Sequence, residues 1–318
     1  MKKLILFAIV AVAALSASSA RADEPTTYFQ YPLVPDSVKT LEGRTTFLIK
    51  HFWDFCDLKK AFSSRAKMAG ALKDYLTWMP YANPAEANKS MARFLMALEK
   101  QPQDQLFIAR EAEKMCHVDT GLYYSDQIFL PFANAVANNK RIKAEDRAHF
   151  ERMARVLALT MVNTSAPGFD YTDRTGAPGK WTNANPDSAA VTLLFFNDPT
   201  SSATNFARAR LNASITTSKF IREGVAKIIS VSTLEPGQEW TELAKSFPDS
   251  WTVVTSPQID TNYDITFRPS FYILDEKGTI LMKNADTNQV IQVMDNLDAM
   301  NNAPAPQPAP ATATTTQP

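Results

Sequence analysis

The chain has 318 residues, 45% of them hydrophobic, and carries 33 lysines and arginines against 33 aspartates and glutamates. That balance, without a basic run, excludes nucleic acid as an expected partner. Nine glycines leave little room for a phosphate-cradling loop, and two cysteines with three scattered histidines supply no metal cluster, so neither a metal nor another cofactor is expected.

The N-terminus MKKLILFAIVAVAALSASSARA places two lysines before twelve unbroken apolar residues, Leu4 to Leu15, and ends in small residues. It reads as a signal peptide over 1–22, cut before Asp23, because the apolar run is shorter than the roughly 20 residues that span a bilayer. The expectation is an exported chain, periplasmic or secreted and soluble after cleavage, with no transmembrane segment. Loss of Lys2, Lys3 and Arg21 leaves 30 basic residues against 33 acidic ones.

Residues 23–39 read as a linker and 40–157 as a helical domain. Leu58, Phe62, Ala66, Ala69, Leu72, Leu76 and Met79 recur every three or four positions until Pro80, which predicts one helix. Met91, Phe94, Leu95 and Leu98 predict a second after Pro84, and Leu106, Ala109, Ala112 and Cys116 a third. Phe129, Phe132 and Val136 predict a fourth with Pro131 near its start, and Phe150, Met153 and Leu157 a fifth. Within this half, His51-Phe52-Trp53-Asp54 reads as core aromatics beside a satisfied, buried His–Asp pair.

From 158 to 300 the pattern becomes α/β. A hairpin closes at Asp173–Gly176, and VTLLFF (191–196) is a strand covered on both faces. Ala203–Leu211 suits a helix, VAKIISV (225–231) a second buried strand and Glu239–Phe247 another helix. SFYILD (270–275) and TILMK (279–283), joined through Glu276-Lys277-Gly278, form a hairpin, and Val290–Leu297 is the last helix. Residues 301–318, NNAPAPQPAPATATTTQP, read as a disordered Pro/Ala/Thr-rich tail.

APGFDYTDRTG, VTLLFFNDPTSS and YDITFRPSFYILDEKGTILMKNA together resemble, in order and approximate spacing, exported thioredoxin-like proteins of the TlpA/ResA type. HFWDFCD (51–57) is similar to an HFWD-type segment of an uncharacterised helical domain that precedes such domains in envelope proteins. The resemblance implies an α+β two-domain protein: a helical domain, then a thioredoxin-like domain with a central mixed sheet and helices on both faces. Phe196, Asp198 and Pro199 match the family's F-x-D-P-x-C-x-x-C stretch and Pro269 its cis-proline, but Ser201, Ser202, Ala203 and Thr204 stand where C-x-x-C would be.

Thiol–disulfide exchange needs a thiolate at the helix N-terminus and a second thiol to resolve the mixed disulfide, and a hydroxyl supplies neither. A serine nucleophile would need a neighbouring base, yet His51, His117 and His149 all lie in the helical half. Ser201 therefore reads as a helix cap, and no catalytic residue is assigned. Cys56 and Cys116 remain open between structural thiols, a structural disulfide and a redox pair. The favoured expectation is a redox-inactive module that binds an extended peptide or an envelope protein along Asp198, Pro199, Arg268 and Pro269. The alternative is a thiol–disulfide oxidoreductase of redox homeostasis that uses Cys56 or Cys116.

Overall fold

The computed structural model describes residues 27–118, 121–183 and 189–302. The expected signal peptide and the tail from residue 303 lie outside these residues. Among the described residues no helix is long and apolar enough to cross a membrane. The chain divides into two compact units, one ending at Glu111 and one beginning at Ala112.

The first unit is helical. Thr40 caps α1 (Leu41–His51), its Oγ1 accepting from the Gly43 N–H at 3.1 Å. The single helix expected over 58–79 is two, α2 (Leu58–Ala61) and α3 (Arg65–Trp78). Ser63 and Ser64 interrupt it, Ser64 taking an extended conformation (φ −129°, ψ 92°), because serine competes poorly for a helix interior and readily occupies its start. Asn83 accepts from Ala85 and Glu86 and starts α4 (Pro84–Ala97) with Pro84 in the first turn. Helix α5 (Pro102–Cys116) runs across the division between the units.

The HFWD segment is the centre of an aromatic cluster. Phe52 is fully buried, and Trp53 stacks on Phe94 with centroids 4.1 Å apart. The His–Asp pair departs from the expectation of burial. His51 Nδ1 meets Asp54 Oδ2 at 2.7 Å, with 35% and 45% of the two side chains exposed, since α1 ends at His51 and both polar ends turn outward.

The second unit joins α6 (Asp126–Asn138) and α7 (Ala144–Leu159), which pack on one another and bury Phe129, Phe132, Phe150 and Met153, to the sheet region. Its strands are β1 (Phe169–Asp173), β2 (Pro178–Trp181), β3 (Val191–Asn197), β4 (Ala226–Ser232), β5 (Thr252–Thr255), β6 (Ser270–Leu274) and β7 (Ile280–Ala285). Spatially the order is β2-β1-β5-β4-β3-β6-β7. Strands β3, β4 and β5 are parallel, and β1, β2, β6 and β7 pair antiparallel.

Every residue of β3 is buried, as a strand covered on both faces requires. Leu193 and Phe195 enter a core shared with α8 (Ser202–Ala213), α9 (Ile215–Arg222), α10 (Gln238–Ala244) and α11 (Thr287–Asn301). Leu194 and Phe196 enter the opposite core, with Phe169, Tyr263, Tyr272 and Ile259. Ile259 opens a 3₁₀ turn (Ile259–Thr261) against which α7 lies. The protein is thus a helical N-terminal region followed by a thioredoxin-like domain with a central mixed sheet. The change from helix to strand falls after Leu159, whereas packing groups α6 and α7 with the sheet.

Candidate functional site at the turn between β3 and α8

Strand β3 ends at Asn197, and the chain reverses through Asp198-Pro199-Thr200. Asp198 Oδ1 accepts from the Thr200 N–H at 2.9 Å and from its hydroxyl at 2.7 Å, an Asx turn that sets the direction of the helix. Ser201 is the N-cap of α8: its φ and ψ are −75° and 136°, and its Oγ accepts from the Ala203 N–H at 3.2 Å. Ser202 and Ala203 are exposed in the first turn. Thr204 is fully buried, and its Oγ1 has no hydrogen-bond partner among the described residues.

Phe196 pairs with Ser270 across the sheet, so Arg268-Pro269 enters β6 beside the end of β3. The Arg268–Pro269 peptide is cis. Arg268 is exposed and its Nη1 donates to Thr233 Oγ1 at 3.0 Å, just past the end of β4. The ends of β3 and β4 and the start of β6, all interior strands, therefore bring Asp198, Pro199, Ser201, Arg268 and Pro269 to one end of the sheet. The contact of the Ser201 hydroxyl is with its own helix. All three histidines are engaged elsewhere: His51 with Asp54, His149 with Glu113, and His117 with Asp126 and Asp264. Among the described residues, none of the three histidines is placed to activate Ser201.

Both cysteines are free thiols, so the disulfide entertained above is not formed. Burial, helped by the Asp57 charge, pushes the Cys56 thiol up to about 11. Burial pushes Cys116 up to about 12 against a hydrogen bond to Tyr123. Neither is a thiolate at neutral pH, the form that attacks a disulfide.

A second cluster escaped sequence reading. His117, in the connection between α5 and α6, is 1% exposed and stacks on Phe129 at 4.9 Å. Its Nδ1 faces Asp126 Oδ1 at 3.5 Å and its Nε2 faces Asp264 Oδ2 at 3.4 Å. Lys283 Nζ lies 2.5 Å from Asp126 Oδ2 and 3.7 Å from Asp264 Oδ2. Tyr124 donates to Asp264 Oδ2 at 2.8 Å, and Asn284 Nδ2 donates to the Tyr124 hydroxyl at 2.7 Å. Burial alone would lower the imidazole pKa; the two carboxylates more than reverse it, to about 9. The same partners hold both carboxyls below their usual range in spite of their burial. In sequence the four residues are far apart, and Asp126 after Ser125 reads only as the first-turn acid of a capped helix.

The donor atoms of His117, Asp126 and Asp264 lie within 4.8 Å of one another, a spacing that invites comparison with a metal centre. The geometry does not fit one. Opposite nitrogens of the same ring face the two carboxylates, and a single ion can take only one of them. The Lys283 ammonium already occupies the cation position between the carboxylates. Two cations and two anions make a neutral buried set, with no charge left for a divalent ion to balance.

A mixed sheet whose parallel β3 leads into a capped helix opposite a cis X-Pro corner defines the thioredoxin-like class. Residues 13–159 match a family described as a domain of unknown function, DUF5106. Among solved structures, the chain is similar to a thioredoxin-like protein from Bacteroides caccae at 20% identity, with 85% of this chain and 99% of that one covered and a TM-score of 0.71. It is also similar to the C-terminal domain of an uncharacterised protein from Bacteroides fragilis at 28% identity, over 43% of this chain and 99% of that one, with a TM-score of 0.40. The C-terminal domain of a putative thiol-disulfide oxidoreductase from Bacteroides thetaiotaomicron aligns at 16% identity, over 43% of this chain and 96% of that one, with a TM-score of 0.37. No curated protein matches the sequence.

Proposed function

We propose that the protein is a redox-inactive thioredoxin-fold module of the cell envelope that binds an extended peptide or a protein partner along the Asp198-Pro199 and Arg268-Pro269 end of the sheet. One observation carries this reading. The two positions that hold thiols in the resembled family are a serine hydroxyl committed to capping α8 and a threonine hydroxyl fully buried. The surrounding architecture is retained without its chemistry. An extended segment laid along a sheet end gains main-chain hydrogen bonds, and the exposed Arg268 guanidinium adds planar donors for a carbonyl or carboxylate.

The oxidoreductase alternative would route electrons through Cys56 or Cys116, whose burial keeps them protonated. Insulin reduction by dithiothreitol, followed by turbidity with the purified mature protein, separates the two. The uncatalysed rate is expected; acceleration that disappears in Cys56→Ala or Cys116→Ala overturns the binding reading. Partner capture from an envelope extract then tests that end itself. Arg268→Ala should weaken capture, and an unchanged partner set would remove it from consideration.

A further inference from the structure

The neutral quartet joins three parts of the second unit: the α5–α6 connection through His117 and Tyr124, the first turn of α6 through Asp126, and strand β7 through Lys283. All three converge on Asp264, which belongs to the segment Asn262–Arg268 that leads into β6. Asp264 also organises that segment internally. Its Oδ1 accepts from the Thr266 hydroxyl at 2.7 Å and the Thr266 N–H at 3.2 Å, and its carbonyl accepts from the Tyr272 hydroxyl at 3.0 Å. Tyr124 meets Phe267 edge-on at 5.2 Å.

We propose that His117, held as an imidazolium between Asp126 and Asp264, is a proton-controlled clasp that keeps the Asn262–Arg268 segment ordered and releases it in alkaline solution. The proposal stands independently of what, if anything, binds at the neighbouring end of the sheet. Its basis is geometric: each ring nitrogen faces a different carboxylate at ion-pair distance, 3.5 and 3.4 Å, and among the described residues neither nitrogen makes a hydrogen bond. A neutral ring has one donor and one acceptor, so it would aim a lone pair at one of the two anions. Only the doubly protonated ring satisfies both. The charged and titratable groups facing it are Asp126 from α6, Asp264 from the segment and Tyr124 from the connection, whose ring lies 5.1 Å away; Lys283 from β7 and Tyr272 from β6 contact these carboxylate residues in turn. Burial first, and then the two carboxylates, raise both tyrosines above their ordinary range, so neither tyrosine ionises where His117 does.

The sign follows from linkage. A base that binds its proton more tightly in the folded state contributes its full stabilisation below its unfolded value of about 6.5 and loses it as pH rises through its folded value. The folded value is about 9. Loss of the proton leaves the two buried carboxylates with Lys283 as the cation they share, and Asp264, which keeps its neutral donors Tyr124 and Thr266, is the one with the longer lysine contact. The segment carrying Asp264 is therefore the part that opens.

The test is an NMR titration of the full protein with ¹⁵N-labelled histidine rings from about pH 6.5 to about pH 10, paired with amide exchange of residues 262–268 corrected for intrinsic rates. Both His117 ring nitrogens should stay protonated through neutrality, while His51 and His149 serve as internal comparisons. Exchange of 262–268 should rise roughly tenfold across the His117 transition, with the first turn of α8 unchanged. His117→Gln, which keeps an amide donor without the charge, should exchange fast at every pH. The wild-type titration decides by itself if that variant does not fold. A His117 ring neutral at pH 7, or a segment whose exchange ignores the transition, overturns the proposal. So does a shift of the His117 ring signals on adding zinc at neutral pH, which would mean that a ring nitrogen is free to act as a ligand.

Discussion

At the scale of single residues, the turn after β3 separates what the thioredoxin fold needs from what its chemistry needs. The fold needs an N-cap, and Ser201 supplies one for about 1 kcal/mol. The fourth position of the turn needs a small buried side chain, and Thr204 fills it while carrying an unpaired hydroxyl. Two predictions follow from these roles. Thr204→Val removes a buried polar atom at nearly constant volume, so it should raise stability by about 1 kcal/mol in urea unfolding. An unchanged or lower midpoint would mean that the hydroxyl has a partner. The double substitution Ser201→Cys with Thr204→Cys restores a dithiol at a helix N-terminus, where unpaired N–H groups favour a thiolate. That variant should accelerate insulin reduction relative to the unsubstituted chain. If it remains inert, more than the two thiols separates this turn from a working site.

At the scale of elements, the hairpin of β6 and β7 shows how backbone irregularity places chemistry. Leu274 pairs with Ile280 and Ile273 with Met282, so Leu281 is an extra residue, half-exposed. Phe271 pairs with Ala285, which leaves both Lys283 and Asn284 opposite Tyr272. The two bulges turn Lys283 toward the Tyr272 ring, 5.7 Å away, and Asn284 adopts a positive φ of 53°. The hairpin's own turn is strict. Asp275 Oδ1 accepts from the Lys277 and Thr279 N–H groups at 2.9 and 2.7 Å, and Gly278 has φ +74°. A Cβ on Gly278 would lie 2.3 Å from the Asn183 Cβ. Gly278→Ala should therefore cost more than the ~1 kcal/mol of a positive-φ replacement alone, which a lowered urea midpoint would register.

The same hairpin marks the limit of what the amino-acid pattern discloses. VTLLFF and SFYILD announce their strands because both faces are buried and most positions are apolar. TILMK also reads as a strand, but strict alternation cannot reveal the two extra residues that aim Lys283 inward. Strand β5 escaped because Thr252–Thr255 is only four residues long, and α9 because its short apolar stripe follows α8 after a single residue, Ser214. The turn after β3 was legible because its residues are contiguous. The His117 quartet was not, because its members are brought together only by tertiary packing.

At the scale of the molecule, the family match over 13–159 and the change from helix to strand both suggest a cut near residue 160, while packing suggests one near 112. The quartet decides between them. A fragment of residues 160–302 lacks His117, Tyr124 and Asp126, so Asp264 and Lys283 would face water, and Phe267 would lose its aromatic neighbour. A solvated ion pair contributes about 0–1 kcal/mol, and the apolar cover of α6 and α7 would be lost at roughly 25 cal/mol per Å². A fragment of residues 112–302 keeps every one of these contacts. It should unfold cooperatively in urea, with slow amide exchange at 262–268, whereas the 160–302 fragment should be weaker by at least ~2 kcal/mol and lose that protection first. Equal midpoints for the two fragments would show that α6 and α7 merely precede the sheet. Unequal ones would make them part of the fold that positions the Arg268-Pro269 corner.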